Sequence, residues 1–145
     1  MENMDVDTLP LTQKIGFSMS LTGSDENYIY FNTNLFSFIG DNPFESENRY
    51  SDIDFGYRND HSISGIYKIP AGFKVDALPK SITIVMPDQS ILFKRTVAEG
   101  DGTITVRYLI DHRKTVHFAE DYQDLRGFYK KMYELLNEQV VLKKG

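Results

Sequence analysis

Cysteine and tryptophan are both missing from this chain of 145 residues. Without cysteine there is no disulfide, no thiolate metal centre and no cysteine nucleophile. The compartment stays open, because a cysteine-free domain is stable in either redox environment. Without tryptophan, the side chain most used to stack on sugars is gone, although nine tyrosines and ten phenylalanines remain. No run approaches the roughly 20 apolar residues of a membrane span. The opening MENMDVDTLP is acidic and has no basic stretch ahead of an apolar core, so it is no secretory signal. A chain that opens with Met1 and moves quickly into strand-like sequence reads equally well as a piece of a longer protein. No G-x-S-x-G, glycine-rich phosphate loop or H-E-x-x-H occurs.

What is present is ordinary for one soluble globular domain: 41% hydrophobic and 26% charged residues. The charge is uneven. Residues 1–57 carry ten Asp/Glu against two Lys/Arg, and residues 58–145 carry eleven against fourteen. The basic residues are scattered, which argues against a nucleic-acid stripe. The acidic part is a solvated surface or faces a basic partner or a cation. Asp41, Glu45, Glu47, Asp52 and Asp54 offer oxygen ligands, but they lack the spacing and glycine of a known calcium loop. No metal or cofactor is expected.

Period-two alternation dominates. Ile15, Phe17, Met19 and Leu21 share one face of KIGFSMSLTG, and Ile29 and Phe31 oppose Tyr28 and Tyr30 in the next run. These two runs read as a leading hairpin within residues 1–39. Residues 58–118 read as antiparallel strands: Ile63, Gly65, Tyr67 and Ile69 alternate, then Ile82, Ile84 and Met86, then Ile91, Phe93 and Val97. Arg95 interrupts that last face. Asp101-Gly102 precedes Ile104, Val106, Tyr108 and Ile110, a strong hairpin signal.

Residues 119–140 read as the only helix. Tyr122, Leu125, Tyr129, Met132 and Leu136 recur at spacings of three and four, with Phe118 as a staple ahead of them. Gly127 costs about 1 kcal/mol in mid-helix and is expected to permit close approach to a sheet. The expected fold is mainly β: an antiparallel β-sandwich or partly open barrel of about seven strands, with one C-terminal α-helix packed on the sheet. A helix-grip lipid binder is an alternative, as is a carbohydrate-binding module.

His61, His112 and His117 supply no zinc set. His112 and His117 are an odd number apart, so on one continuous strand they would point to opposite faces. All three read as surface or satisfied histidines, and no catalytic residue is expected. The least periodic stretch is Gly40–Tyr57, GDNPFESENRYSDIDFGY. Asn42-Pro43-Phe44 starts a turn, since Asn before Pro is held out of the helical region. The stretch reads as an ordered linker, structural or a docking surface. Phe44, Phe55 and Tyr57 are expected to tie it to the sheet, and Arg49 to pair with Asp54.

Several motifs in this order resemble the C-terminal domain of unknown function found in bacterial transglutaminase-like proteins of Bacteroidetes type. They are N-P-F at 42–44, Arg49, D-F-G-Y at 54–57, I-P-A-G-F at 69–73, L-P-K at 78–80, Y-x-x-L-R-x-F-Y at 122–129 and N-E-Q-V-V-L-K-K at 137–144. The resemblance implies an exported or envelope parent with a papain-like core and a Cys-His-Asp triad. That triad cannot lie on a chain without cysteine. The implied role is a noncatalytic module that packs beside an intramolecular catalytic domain or presents a surface to its substrate. Neither nucleic acid nor membrane insertion is implied.

Overall fold

The computed structural model describes residues 8, 21, 23–34 and 40–145. Most of the first run of the expected leading hairpin lies outside the described residues. The second run forms β1 (Tyr28–Asn32). Then come β2 (Ile53–Asp54), β3 (Asn59–Lys68), β4 (Phe73–Ala77), β5 (Ile82–Val85), β6 (Ile91–Gly100), β7 (Thr103–His112) and β8 (Val116–His117). A 3-10 turn at Ala119–Asp121 leads into α1 (Tyr122–Leu136), and β9 (Gln139–Lys144) ends the chain. The fold is mainly β with one C-terminal helix. The expected count of about seven strands falls short because β2 and β8 are only two residues long and β9 read as helix.

The strands form three antiparallel sheets, ordered β3-β7-β6-β5, β1-β9-β4 and β2-β8. The β6–β7 hairpin closes through Asp101-Gly102, whose φ angles of 51° and 68° are both left-handed. That is the backbone an Asp-Gly pair favours in a two-residue turn. Alternation then places Ile91 and Phe93 beside Ile110, Tyr108 and Val106 on one buried face, as their parity requires. From α1, Leu125, Met132 and Leu136 join this same cluster, all 2% exposed or less. Each contributes about 1.5–3 kcal/mol by burial.

Arg95 does not break the face it interrupts. It is 1% exposed, yet all its polar groups point to oxygen. Its Nε donates to the Lys80 carbonyl at 2.9 Å, one terminal nitrogen to the Leu135 carbonyl, and the other to Glu138 Oε2 at 2.6 Å. The last carbonyls of a helix lack intrahelical donors and carry partial negative charge. The last turn of α1 has no basic residue of its own, so the sheet supplies the cation.

The helix is shorter than the sequence reads. It stops at Leu136, and Asn137 closes it with a bond to the Tyr133 carbonyl. Residues 139–144 then become the central strand between β1 and β4, burying Val140 and Leu142. Two smaller expectations also change. A Cβ on Gly127 would meet nothing within 4 Å, so this glycine is not a point of close approach. Phe118 is half exposed and lies 5.3 Å beneath the Lys114 ammonium.

Candidate functional site

The segment 40–57 is a strap, and it is laid along the helix. Asn42 folds its start by accepting the Phe44 N–H on Oδ1 at 3.0 Å, the local turn that Asn-Pro favours. Phe44 then drops into the core at 5% exposure. Its ring meets Tyr129 edge-on at 4.5 Å, with Phe55 and Tyr122 at 6.2 and 6.3 Å. Such edge-to-face pairs add about 0.5–1.5 kcal/mol beyond burial.

The backbone of the strap is held by side chains. Tyr133 Oη donates to the Asp41 carbonyl at 2.8 Å, and an Arg126 terminal nitrogen to that of Glu45 at 3.2 Å. Tyr122 Oη donates to the Ser46 carbonyl at 2.7 Å, and Gln123 Nε2 to that of Glu47 at 2.6 Å. From Asp41 to Ser46 the strap positions rise while their partners on α1 fall from Tyr133 to Tyr122, so the two run antiparallel. Residues 122, 126, 129 and 133 recur at four, three and four, which is one face of a helix. The adjoining stripe of the same helix carries Leu125, Met132 and Leu136 into the core. One helix therefore serves two layers.

Past the strap's midpoint the attachment changes. Asp52 Oδ1 accepts the Ala119 N–H at 2.9 Å, Ile53 pairs with His117, and the Phe55 N–H reaches the Thr115 carbonyl at 2.8 Å. Phe55 then packs against His112 at 5.2 Å and His117 at 5.6 Å between ring centroids.

Three expectations about this segment are corrected. The tie of Phe44 is to the helix, not the sheet. Tyr57 is 67% exposed and ties nothing down; it follows Gly56, whose φ of 79° turns the chain outward. Arg49 does not pair with Asp54. Its Nε donates to the Ser51 carbonyl at 3.1 Å, and Asp54 Oδ1 accepts the Gly56 N–H at 2.8 Å. Each finds a backbone partner two residues away, which costs less side-chain entropy than an exposed ion pair. The acidic side chains spread out along the strap, and among the described residues no three metal-binding groups converge.

Between the strap, the end of β7 and α1 lies a cleft of about 300 Å³, whose lining includes Pro43, Phe55, His61, His112, Tyr129 and Tyr133. His112 is 7% exposed and its Nε2 lies 2.8 Å from Tyr129 Oη. Burial holds the Tyr129 hydroxyl far above its ordinary pKa, so it keeps its proton. The protonated hydroxyl can donate to Nε2 or accept from it, according to the imidazole tautomer. Burial, then the charges of His61 and His117, push the His112 pKa down, against the pull of Asp111. His117 is wholly buried, and neither ring nitrogen has a hydrogen-bond partner. Its pKa is lowered by burial and by Lys114, against Asp88 and Asp121. Both imidazoles are neutral near pH 7.

The reading of His112 and His117 as surface or satisfied histidines is corrected: both are buried with unpartnered ring nitrogens, and the odd spacing bears on facing only along one continuous strand. They lie on two, β7 and β8, separated by residues 113–115, so an odd spacing does not put them on opposite faces. The signal was available in part: His112 continues the inward parity of Ile104, Val106, Tyr108 and Ile110. The chemistry of the cleft is that of a packed aromatic contact. Burial raises the Tyr129 pKa, and burial with the Asp41 charge raises that of Tyr133, the wrong direction for a nucleophile.

Comparison with known proteins agrees with this architecture. The model of a family described as a domain of unknown function, DUF3858, matches residues 27–142. No curated protein matches the sequence. Among solved structures, a protein of Parabacteroides distasonis described as a "putative protease" is similar, with a TM-score of 0.65 at 14% identity. The likeness covers 83% of this chain and 24% of that one, so the present chain spans about a quarter of that protein's length.

Proposed function

We propose that this chain, which belongs to the DUF3858 family of domains of unknown function, is a noncatalytic accessory module of a longer transglutaminase-like protein. In this reading it packs beside a papain-like catalytic core or presents a surface to that core's substrate. The observation that carries it is the similar fold occupying 24% of a longer chain described as a "putative protease". The motifs from N-P-F at 42–44 to N-E-Q-V-V-L-K-K at 137–144 support the same parentage, and the missing cysteine puts the nucleophile of such a core elsewhere. The helix-grip alternative fits less well. A helix that encloses a ligand stands off its sheet, whereas Leu125 and Leu136 are 0% exposed against this one.

The test is to assay amide and ester hydrolysis and acyl transfer with this chain alone and with the full reading frame that carries it. The reading expects turnover only from the longer protein, lost when a cysteine outside this module is replaced. Turnover by the purified module, abolished by a substitution within it, contradicts the noncatalytic assignment. A reading frame that encodes no Cys-His-Asp domain contradicts the parentage.

A further inference from the structure

The strap is fastened at one end to two histidines that are buried without the partners a charged imidazole needs. Phe55 packs on both rings, and Ile53 pairs with His117 across the β2–β8 ladder. His117 is 0% exposed with both nitrogens unpartnered, and His112 is 7% exposed with Nδ1 unpartnered. A protonated imidazole carries two N–H donors, and neither site offers acceptors for both. We propose that His112 and His117 form an acid-sensitive latch, so that mild acidification frees the strap and bares the helix face of Tyr122, Arg126, Tyr129 and Tyr133.

The surroundings of each ring bear on the sign. Around His117 stand the Lys114 ammonium, which opposes a second positive charge, and the carboxylates of Asp88 and Asp121, which favour one. Those carboxylates are already engaged: Asp88 with Ser90, and both with Lys114 at 3.7 and 3.9 Å. The strap contributes Ile53 and Phe55, which are apolar. Around His112 stand His61 on β3 and His117 on β8, both opposing charge, and Asp111, which favours it but is bonded to Arg113 at 2.7 Å. From α1 comes the Tyr129 hydroxyl, hydrogen-bonded to Nε2. Burial is the largest cause at both rings and acts in the same sense. Releasing Phe55 and β2 returns both rings to water, where they can be protonated. The latch does not depend on the accessory-module reading.

Amide hydrogen exchange of the whole chain between pH 7.5 and 5.5, corrected for intrinsic rates, tests it above the range in which carboxylates titrate. The Phe55 N–H, bonded to the Thr115 carbonyl, reports the strap, and the Val106 N–H reports the core. Below about pH 6.5 each latch histidine makes strap opening up to about tenfold more favourable per pH unit. The expected result is an opening constant at Phe55 that rises with acid and stays well above the global opening constant read at Val106, with a shallower slope in His117→Phe. An imidazole titration by NMR, with both rings protonating only below the ordinary histidine range, gives the same answer if that variant does not fold. A pH-independent Phe55 amide overturns the latch. So does a Phe55 opening constant equal to that of Val106 at every pH, which is global unfolding alone.

Discussion

The β6–β7 hairpin and the 40–57 strap are both ordered, but by different means. The hairpin is zipped by a ladder of ten register pairs from Ile91–His112 to Gly100–Thr103, closed by a two-residue turn. The strap has only two register pairs, Ile53–His117 and Asp54–Val116. Elsewhere its carbonyls are held by side chains 76 to 92 positions away in sequence. A ladder is a backbone property and repeats itself. The strap rests on a few large side chains and individual hydrogen bonds worth about 0.5–1.5 kcal/mol each, so a single substitution can loosen it without disturbing the hairpin.

The largest effect is expected where both regions share support. Truncation before Glu120 removes the helix that carries the strap and covers the sheet, together with β9, the centre of the second sheet. Burial of Leu125, Met132, Leu136, Val140 and Leu142 stabilises by about 1.5–3 kcal/mol each, against a total stability of about 5–15. A truncated chain should show no cooperative melt. Next comes Phe44→Ala, which removes a buried ring and should cost about 3–5 kcal/mol if the strap is part of the cooperative unit. If the strap opens on its own, the melt moves less while proteolysis within 40–57 accelerates. The two readouts together measure how far the strap and the hairpin fold as one.

Acid sharpens the same contrast. With folded-state pKa values lowered, His112 and His117 leave the native state short of protons relative to the unfolded chain below about pH 6.5. Stability is therefore full above that pH. It falls as pH drops, by up to about 1.4 kcal/mol per unit for each histidine, until the folded pKa is reached. Denaturant midpoints at pH 7.5, 6.5 and 5.5 check the direction.

The hairpin was legible in the sequence because its causes are local: parity places Ile104 to Ile110 on one face, and Asp-Gly sets the turn. Segment 40–57 was legible only as something ordered and aromatic. Its partners lie on a helix whose strap-facing residues look like part of a single apolar stripe, so Tyr122 and Tyr129 read as sheet-facing. The Arg49–Asp54 pair failed for a related reason: proximity in sequence said nothing of the closer backbone acceptor on Ser51 and donor on Gly56. The strand at 139–144 was hidden because its hydrophobic pattern runs on from the helix. The alternation of Val140 and Leu142 against Gln139, Val141 and Lys143, following Asn137, was the signal for it. Arg95 looked like a flaw because its acceptors, the carbonyls of Lys80 and Leu135, belong to elements that meet only in the fold.

Two smaller effects complete the comparison. Gly127→Ala should stabilise by about 0.4–1 kcal/mol, since the glycine is helical and its missing Cβ faces open space. A loss of stability in a thermal melt shows instead that the helix needs that gap. Arg49→Ala should leave the melt within about 0.5 kcal/mol of the parent, with negligible coupling to Asp54→Ala, because both side chains are exposed and separately bonded.

The most direct measurement of whether the strap is built into the fold is a double-mutant cycle on Phe44 and Tyr129, whose rings meet at 4.5 Å. Phe44→Leu and Tyr129→Leu, singly and together, should show a coupling of about 0.5–1.5 kcal/mol in denaturant unfolding. Strictly additive losses, or a Phe44 substitution that leaves the unfolding midpoint where it was, contradict a strap clamped on the helix and leave segment 40–57 as a surface that some other body must hold.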